Sequence, residues 1–267
     1  MRRIINAHCH IYPDVIADRA VKGISDFYSI EVPFDGTANG LIAEGERYGV
    51  VHYLVQSVAT KTSQTTSINT FIGQQVKLHP DQFTGFGTLH PDSVDIEGDL
   101  DILVSCGLKG VKLHPDFQGF SMAGERAMRL GEAIGRRGLP ILVHCGDPRG
   151  EMSNPDQMKV FLDSFPDITV IGAHMGGWSK WDEVCGKLAG YANLYIDTSS
   201  SLYLMDKALA VKIIRRIGAE RVIFGTDYPV FRVSDEIENI RSLGLSKDEE
   251  DMIFYGNAAR LLNLEHS

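Results

Sequence analysis

Eight short runs rich in β-branched and aromatic residues alternate along the chain with stretches of helical spacing. The runs lie at 3–12, 50–58, 83–90, 108–114, 140–145, 168–174, 194–199 and 221–227. Between them apolar residues recur every three or four positions, as at Ala127, Leu130 and Ile134. This alternation predicts a parallel sheet, because two parallel strands need a long, usually helical, crossover between them.

Eight strands with helices between them fit a (β/α)₈ TIM barrel, an α/β fold that routinely fills this length as one domain. A doubly wound sheet would use the same alternation, but no GxGxxG motif follows the first strand and no change in composition marks a second domain. We therefore predict one domain over 1–267. The longest connection, 12–49, is expected to form a lid insertion over the barrel mouth, and 247–264 reads as the closing helical segment.

Composition narrows the class of protein. With 43% hydrophobic and 23% charged residues, the composition is typical of a globular protein with a sizeable core. Its net charge is −9 and its basic residues are scattered, which argues against nucleic acid or an anionic membrane as a partner and favours small molecules. No apolar run approaches the roughly 20 residues of a membrane span, and no signal-peptide core is seen, so the expected location is cytoplasmic.

The four cysteines are far apart and form no CxxC pair, which predicts reduced thiols rather than disulfides or a zinc finger. The hexapeptide VKLHPD occurs twice, at 76–81 and at 111–116. The first copy ends a helical pattern, whereas the second ends a strand and so opens onto the active face of a barrel. Nothing around the copies repeats, and we interpret the repeat as coincidence.

Five residues of types that commonly bind metals, four histidines and one aspartate, lie at four predicted strand ends. In NAHCH, alternation turns His8 and His10 to one face and Cys9 to the other. In a closed barrel the strand ends converge, and neutral imidazoles with a carboxylate bind zinc or a similar divalent ion in an open catalytic site. Two hydrogen-bonded histidines at one strand end would be unremarkable, but the convergence favours a metal centre. The predicted ligands are His8, His10, His144, His174 and Asp227.

The motifs NAHCH, GVKLHP, ILVHCG, IGAHMGG, GTDYP and YGNAARLL, in this order, resemble the amidohydrolase superfamily. The resemblance runs from Ile4 to about Leu264 and is to the amidohydrolase-related branch, which includes aminocarboxymuconate-semialdehyde decarboxylase-like enzymes. It implies a divalent metal, usually Zn²⁺, held by the residues that match His8, His10, His144 and Asp227. It also implies that the residue matching His174 lies beside the metal-bound water or is a further ligand.

Lys112 departs from the one-metal pattern. By alternation it shares a face with His114, and it resembles the carboxylated lysine that bridges two metals in phosphotriesterase-like and dihydroorotase-like members of the superfamily. Two alternatives are a cation that anchors the substrate and a lysine paired with a carboxylate of the cavity. One ion is expected, and two if Lys112 is carboxylated.

Further substrate-binding candidates follow other strands. Arg149 and Arg232 are cations suited to a substrate carboxylate, although surface ion pairing is as ordinary a role for either. Trp178 would lie in a loop, where its side chain could line the pocket or have an ordinary packing role. Together with Lys112 and His114 these residues form the predicted substrate site. The sequence is compatible with a homo-oligomer but does not indicate one.

A metal-activated water, with Asp227 as proton acceptor and His174 either orienting the water or stabilising negative charge, would hydrolyse an amide, ester or lactone of a small carboxylate. The same centre could instead protonate a substrate carbon and release CO₂, which is the chemistry of the decarboxylase members of the branch. A barrel that binds a ligand without catalysis is a third reading. It is disfavoured because both the ligands and the base are present.

Overall fold

The computed structural model describes residues 3–264, so the two ends of the expected domain 1–267 lie outside the described residues. Nine strand segments, all paired in parallel, follow one another in chain order. They are β1 Ile4–His10, β2 Val50–Gln56, β3 Phe83–Gly85, β4 Gly87–Thr88, β5 Val111–Leu113, β6 Ile141–Val143, β7 Val170–Gly172, β8 Leu194–Asp197 and β9 Val222–Ile223.

The third expected strand, 83–90, is shorter than predicted and divides into β3 and β4 at Phe86. The Phe86 amide still donates to Val55 O at 3.0 Å, which joins the sheet of β1–β3 to the sheet of β4–β9. The first strand, β1, is joined in turn to the chain just after β9: the Ala7 amide donates to Phe224 O at 2.8 Å and the His10 amide donates to Tyr228 O at 2.7 Å. These bonds continue the parallel order around a ring, and the predicted (β/α)₈ barrel is confirmed.

Helices separate the strands as the apolar spacing predicts. They are α1 Asp14–Tyr28, α2 Ala38–Glu46, α3 Thr65–Leu78, α4 Ile96–Ser105, α5 Pro115–Gln118, α6 Glu125–Arg136, α7 Pro155–Ser164, α8 Trp181–Lys187, α9 Lys207–Ile217, α10 Val233–Arg241, α11 Lys247–Asp251 and α12 Asn257–Leu261. A π-helical turn, Met252–Gly256, joins α11 to α12 and completes the closing helical segment expected at 247–264. None of the helices in 3–264 is long and apolar enough to cross a membrane.

The core has two layers. One fills the barrel with inward side chains such as Leu54, Leu142 and Ile171, and the larger one lies between the sheet and the helices. Full burial of one such side chain stabilises the fold by roughly 1.5–3 kcal/mol. The inner layer therefore makes the barrel interior a packed core and not a pore.

A register shift in β1 sets the direction of its histidines. Ile5 and Ala7 belong to the inner layer, so strict alternation would turn His8 outward. The pairing of β1 with β2 shifts between Asn6 and Cys9, as at a β-bulge, and Cys9 joins the outer layer. His8 and His10 therefore both point toward the barrel axis, with Cys9 on the opposite face as predicted.

The long connection at 12–49 contains two helices with different surroundings. The side chains of α1 line the cavity at the barrel mouth. In contrast, α2 packs on the outside of the barrel, where Tyr53 Oη of β2 is 3.5 Å from Ile42 O. Within the expected lid 12–49 it is α1 and the residues next to it that line the cavity, and a lid role for the segment stays a prediction.

Candidate metal centre

Three predicted ligands meet at the end of β1. His8 Nε2 lies 3.3 Å from His10 Nε2, and Asp227 Oδ1 lies 3.4 Å from His8 Nε2 and 3.5 Å from His10 Nε2. In a four-coordinate site with ligand bonds of about 2.05 Å, neighbouring donor atoms are about 3.3 Å apart. The spacing and the chemistry of these donors thus fit one divalent ion.

The orientation of His8 is fixed by Asp197 at the end of β8. His8 Nδ1 donates to Asp197 Oδ2 at 2.7 Å, and both side chains are fully buried. Because Nδ1 carries the proton in this bond, Nε2 keeps its lone pair for a ligand. A histidine held by a carboxylate in this way is a common feature of metal sites, since the carboxylate fixes the tautomer and raises the basicity of the imidazole.

His144 and His174 form a second pair of donors next to this cluster. His144 Nε2 donates to Gly146 O at 2.9 Å, so its Nδ1 faces His174 Nε2, at 2.9 Å, with a lone pair. His174 Nδ1 in turn lies 2.9 Å from Ser199 Oγ, and its ring is 5.2 Å from that of His8. The structure thereby brings all five predicted ligands to one end of the barrel.

Burial controls the protonation of the cluster. It lowers the pKa of His10 and of His144 well below the usual value and that of His174 to about 4, so these imidazoles are neutral near pH 7. Burial alone would raise the pKa of Asp227, but His8, His174 and His10 outweigh it and hold that pKa well below its usual range. A carboxylate among neutral imidazoles is the state in which these groups bind a cation.

Two of the ligand candidates occupy strained backbone positions. His174 has a φ of 58° and Asp227 a φ of 59°, in the left-handed region that non-glycine residues seldom adopt. Ser200, with a φ of 52°, donates its hydroxyl to Asp227 Oδ2 at 2.7 Å. Such strain persists only where the surroundings enforce it, and it concentrates at functional sites.

Lys112 lies at the bottom of the same site. It is 1% exposed, and its Nζ donates to His8 Nε2 at 3.2 Å. Burial lowers its pKa to about 8, although Asp227 and Asp197 act in the opposite direction. His8 Nε2 has a single lone pair, so binding of an ion there would require this hydrogen bond to break.

A cavity of about 780 Å³ opens above these residues. Its floor includes His10, Lys112, His174 and Asp227, and its walls include the aromatic side chains of Phe117 and Trp178. One face of α1 covers it with the residues Ile16, Arg19, Ala20, Gly23, Ile24, Phe27 and Tyr28. The size and mixed lining suit a small organic molecule.

The predicted substrate residues divide into two groups. Lys112, His114 and Trp178 line the cavity. Arg149 instead makes a bidentate salt bridge with the buried Asp147, in which Nη2 donates to Oδ2 at 2.6 Å and Nε donates to Oδ1 at 2.8 Å. Arg232 is exposed, with its guanidinium 5.3 Å from the centre of the Phe34 ring. Within 3–264 neither arginine belongs to the cavity lining, and a substrate role for either stays a prediction.

Sequence reasoning passed over several residues that the structure brings to the site. Asp197 and Ser199 lie in the predicted strand run 194–199, and their position at a strand end was the available signal. Arg19 and Tyr28 come from α1, and nothing in the sequence distinguishes them from other polar residues of an amphipathic helix. Ser200 holds Asp227 from the neighbouring loop.

A parallel (β/α)₈ barrel with histidine and aspartate donors at its open end is a fold and site shared by a large class of metal-binding enzymes. The chain belongs to the amidohydrolase family, whose sequence model matches residues 5–264. No curated protein sequence matches it.

Solved structures show the same fold over nearly the whole chain. An uncharacterized TIM-barrel protein from Bordetella bronchiseptica is 20% identical, with a TM-score of 0.82 and coverage of 99% of this chain and 100% of that one. A dihydroxybenzoic acid decarboxylase from Polaromonas sp. JS666, with bound manganese and the inhibitor 2-nitroresorcinol, is 15% identical, with a TM-score of 0.74 and coverage of 100% and 98%. A putative 2-pyrone-4,6-dicarboxylic acid hydrolase from Pseudomonas putida is 17% identical, with a TM-score of 0.71 and coverage of 98% of each chain.

Proposed function

We propose that the protein is a metal-dependent hydrolase that cleaves an amide, ester or lactone bond of a small carboxylate. The observation that carries the proposal is the cluster of His8, His10 and Asp227, whose donor atoms lie 3.3 to 3.5 Å apart at the floor of a cavity. Family membership supports a metal-dependent enzyme, and the putative pyrone-dicarboxylic acid hydrolase among the structural neighbours supports hydrolysis, whereas the decarboxylase neighbour supports the second candidate below.

His8, His10 and Asp227 would hold the ion. His144 Nδ1 would add a donor once it no longer accepts from His174, and His174 Nε2 would do so only after losing its proton. A divalent ion bound there, Zn²⁺ being the expected one, makes water more acidic and polarises a substrate carbonyl. Asp227 is ionised, and its Oδ2 accepts one hydrogen bond from Ser200 at 2.7 Å. This carboxylate can accept a proton from the attacking water and return it to the leaving group.

His174 assists without changing its charge near pH 7. With His144 Nδ1 as acceptor, His174 Nε2 carries the ring proton in the structure. When His144 Nδ1 no longer accepts this proton, the N–H of His174, a residue of the cavity lining, can donate to an oxygen on which negative charge develops. Its neighbours Asp197 and Ser199, which its backbone amide and Nδ1 contact at 3.1 and 2.9 Å, keep the ring in place.

A carboxylate substrate needs local positive charge because the protein carries a net charge of −9. Lys112 at the floor and Arg19 on α1 are the two basic side chains, Lys or Arg, that the described residues place in the cavity lining. Lys112 would anchor the substrate, and Arg19 would attract it at the rim.

Decarboxylation of an unsaturated or aromatic acid is the second candidate. The aromatic side chains that favour it are Phe27, Tyr28, Phe117 and Trp178, which pack against one another along one side of the cavity. Aromatic walls bind a flat ring well. With the same floor residues, a proton delivered to a ring carbon instead of a leaving oxygen or nitrogen would release CO₂.

One experiment separates these reactions. Zinc- and manganese-loaded protein is incubated with a panel of lactones, amides, esters and aromatic acids, and both acid release and CO₂ release are recorded. Hydrolysis without CO₂, abolished by a chelator and by Asp227→Asn, is the expected result. CO₂ release from an acid would establish the second candidate. The absence of turnover over the whole panel with every metal would contradict the proposed function.

Lys112→Met tests the anchoring role of the lysine. Loss of a substrate contact made equally in ground and transition states should raise KM and leave kcat and bound metal unchanged. If Lys112 were carboxylated and bridged two ions, the substitution would lower metal content and kcat together. Normal KM, kcat and metal content would exclude both the anchoring and the bridging role of Lys112.

A further inference from the structure

We call α1 the cover of the cavity, because one of its faces lies over the cavity. Tyr28, the last residue of α1, contacts His114 on the cavity wall. Its Oη lies 3.2 Å from His114 Nε2, and its ring meets that of Trp178 edge-on at 5.6 Å between centroids. All three side chains line the cavity. The hydrolytic steps described above give this hydroxyl no role.

The direction of the hydrogen bond between Tyr28 and His114 follows from the far side of the imidazole. The backbone amide of Phe117 points at His114 Nδ1, at 3.3 Å. A backbone N–H can only donate, so Nδ1 presents its lone pair. An imidazole ring carries at least one proton, and with Nδ1 unprotonated that proton is on Nε2. Nε2 therefore donates to Tyr28 Oη.

The His114 ring cannot readily turn away from this arrangement. One face stacks on Phe117 with centroids 3.9 Å apart and planes 6° apart. The other face stacks on His144 at 3.9 Å and 11°. With both faces covered, the ring aims its Nε2 proton at Tyr28.

The Tyr28 hydroxyl oxygen accepts from His114, which leaves its own proton free to be donated. Within the described residues 3–264 His114 is the hydrogen-bond partner of this hydroxyl, which faces the cavity. The guanidinium of Arg149 lies 4.9 Å from the centre of the Tyr28 ring and holds the ring in place by a cation–π contact.

We propose that Tyr28 is a substrate-binding residue that selects acids bearing a second acceptor oxygen, best a second carboxylate, on a planar framework. The hydroxyl donates to that oxygen on the cover side of the cavity, while Phe117 and Trp178 flank the planar part. His114 is a positioning residue that acts through Tyr28. The inference rests on the proposed function only in taking this cavity as the substrate site.

A pair of non-reacting probes tests the selection. Isophthalate has two carboxylates on a benzene ring, and 3-methylbenzoate has a methyl group in place of one of them. Binding to the purified full-length protein is followed by tryptophan fluorescence, because Trp178 lies against Tyr28. We expect isophthalate to bind more tightly, and Tyr28→Phe to lower the ratio of the two dissociation constants about tenfold, the effect of one hydrogen bond to a charged group.

The matched control is Tyr48→Phe, which removes a hydroxyl just before the first residue of β2, at the end of the barrel away from the mouth. It should leave the ratio unchanged. An unchanged ratio in Tyr28→Phe, or a wild-type protein that binds neither probe, would overturn the assignment. Because binding is measured without turnover, a lowered ratio in a protein with no hydrolase activity would uphold the role of Tyr28 and reject only the proposed reaction.

The positioning role of His114 has its own test. His114→Gln keeps an N–H donor near the Nε2 position and should retain most of the probe ratio, whereas His114→Leu should lower it. In the Tyr28→Phe background, His114→Leu should change the ratio no further. Additive effects of the two substitutions would show that His114 does not act through Tyr28.

Discussion

At the scale of the residue, the site depends on which ring nitrogen of each histidine carries the proton. Register alone predicted that His8, His10, His144, His174 and Asp227 face one cavity. It could not predict tautomers, which follow from contacts with residues distant in the chain. Asp197, at the end of β8, holds the Nδ1 proton of His8 across 189 residues of sequence. The ligand atom of His8 is thus determined by a carboxylate that is not itself among the predicted ligands.

Asp197→Asn should weaken metal binding while preserving the fold. Asparagine keeps the oxygen that accepts from the His174 and Ser199 amides, at 3.1 and 3.0 Å. However, its NH₂ group would donate to His8 Nδ1 and move the histidine proton to Nε2, the nitrogen that would bind the ion. Loss of such a supporting carboxylate typically costs 10- to 100-fold in metal affinity, about the effect expected here in a calorimetric titration with Zn²⁺.

The control for Asp197→Asn is Asp206→Asn, the same change at the exposed N-cap of α9, where asparagine caps equally well. Equal zinc affinity in wild type and Asp197→Asn would show that the carboxylate does not set the His8 tautomer.

At the scale of the element, α1 is fastened over the cavity at its C-terminal end. The Arg149 guanidinium donates to Phe27 O at 2.8 Å and lies 4.1 Å from the centre of the Phe27 ring. Asp147, which is 1% exposed, holds the other edge of the guanidinium. Arg149, predicted as a substrate contact, instead lies where it can hold α1 over the cavity. The sequence could not predict this contact, because Arg149 and Phe27 are 122 residues apart in the chain.

Arg149→Leu should loosen α1 without unfolding the barrel. An exposed cation–π contact contributes about 0.5–1 kcal/mol, which corresponds to about twofold to fivefold faster opening. Hydrogen exchange of the backbone amides in Asp14–Tyr28 should accelerate by that factor, whereas exchange in β1–β9 stays unchanged. Arg126→Leu, which breaks an exposed ion pair with Asp92, serves as control. Unaltered exchange in α1 would mean that Arg149 does not hold the cover.

A second element, α10, carries a carboxyl group that makes stability depend on pH. Glu236 is fully buried, and burial raises its pKa well above the usual value. The folded state therefore holds this proton more tightly than the unfolded chain, whose glutamate pKa is about 4.3. Its contribution to stability is complete below that pKa and is lost as pH rises toward the raised pKa, at up to about 1.4 kcal/mol per pH unit.

Glu236→Gln removes the charge that has to be buried. Its free energy of unfolding, relative to that of the wild type, should increase between pH 5 and pH 8 in urea titrations. Glu238→Gln, an exposed position on the same helix, should show no such trend. Parallel pH profiles of wild type and Glu236→Gln would contradict a raised pKa at this position.

At the scale of the whole molecule, the sequence was sufficient for the barrel but not for its details. Apolar runs with Gly or Pro at their ends determined the order of strands, because each strand must bury residues on both faces. The break at Phe86 and the register shift that turns His8 inward leave no local pattern in the sequence, because both involve pairing with residues distant in the chain. The lid at 12–49 was predicted from connection length alone, which could not distinguish α1, whose residues line the cavity, from α2, which packs outside the barrel.

Binding of an ion to His8, His10 and Asp227 should stabilise the whole barrel, because these ligands come from opposite ends of the sequence, at β1 and after β9. An ion that binds only the folded state stabilises it by about 2.7 kcal/mol at a hundredfold excess over Kd. For a chain of this size that corresponds to a rise in Tm of roughly 5–10 °C. Thermal unfolding of chelator-treated protein with increasing Zn²⁺ or Mn²⁺ measures it. His8→Ala combined with His10→Ala should abolish the rise, and His79→Ala, at the opposite end of the barrel before β3, should keep it. An equal rise in all three proteins would place the ion elsewhere.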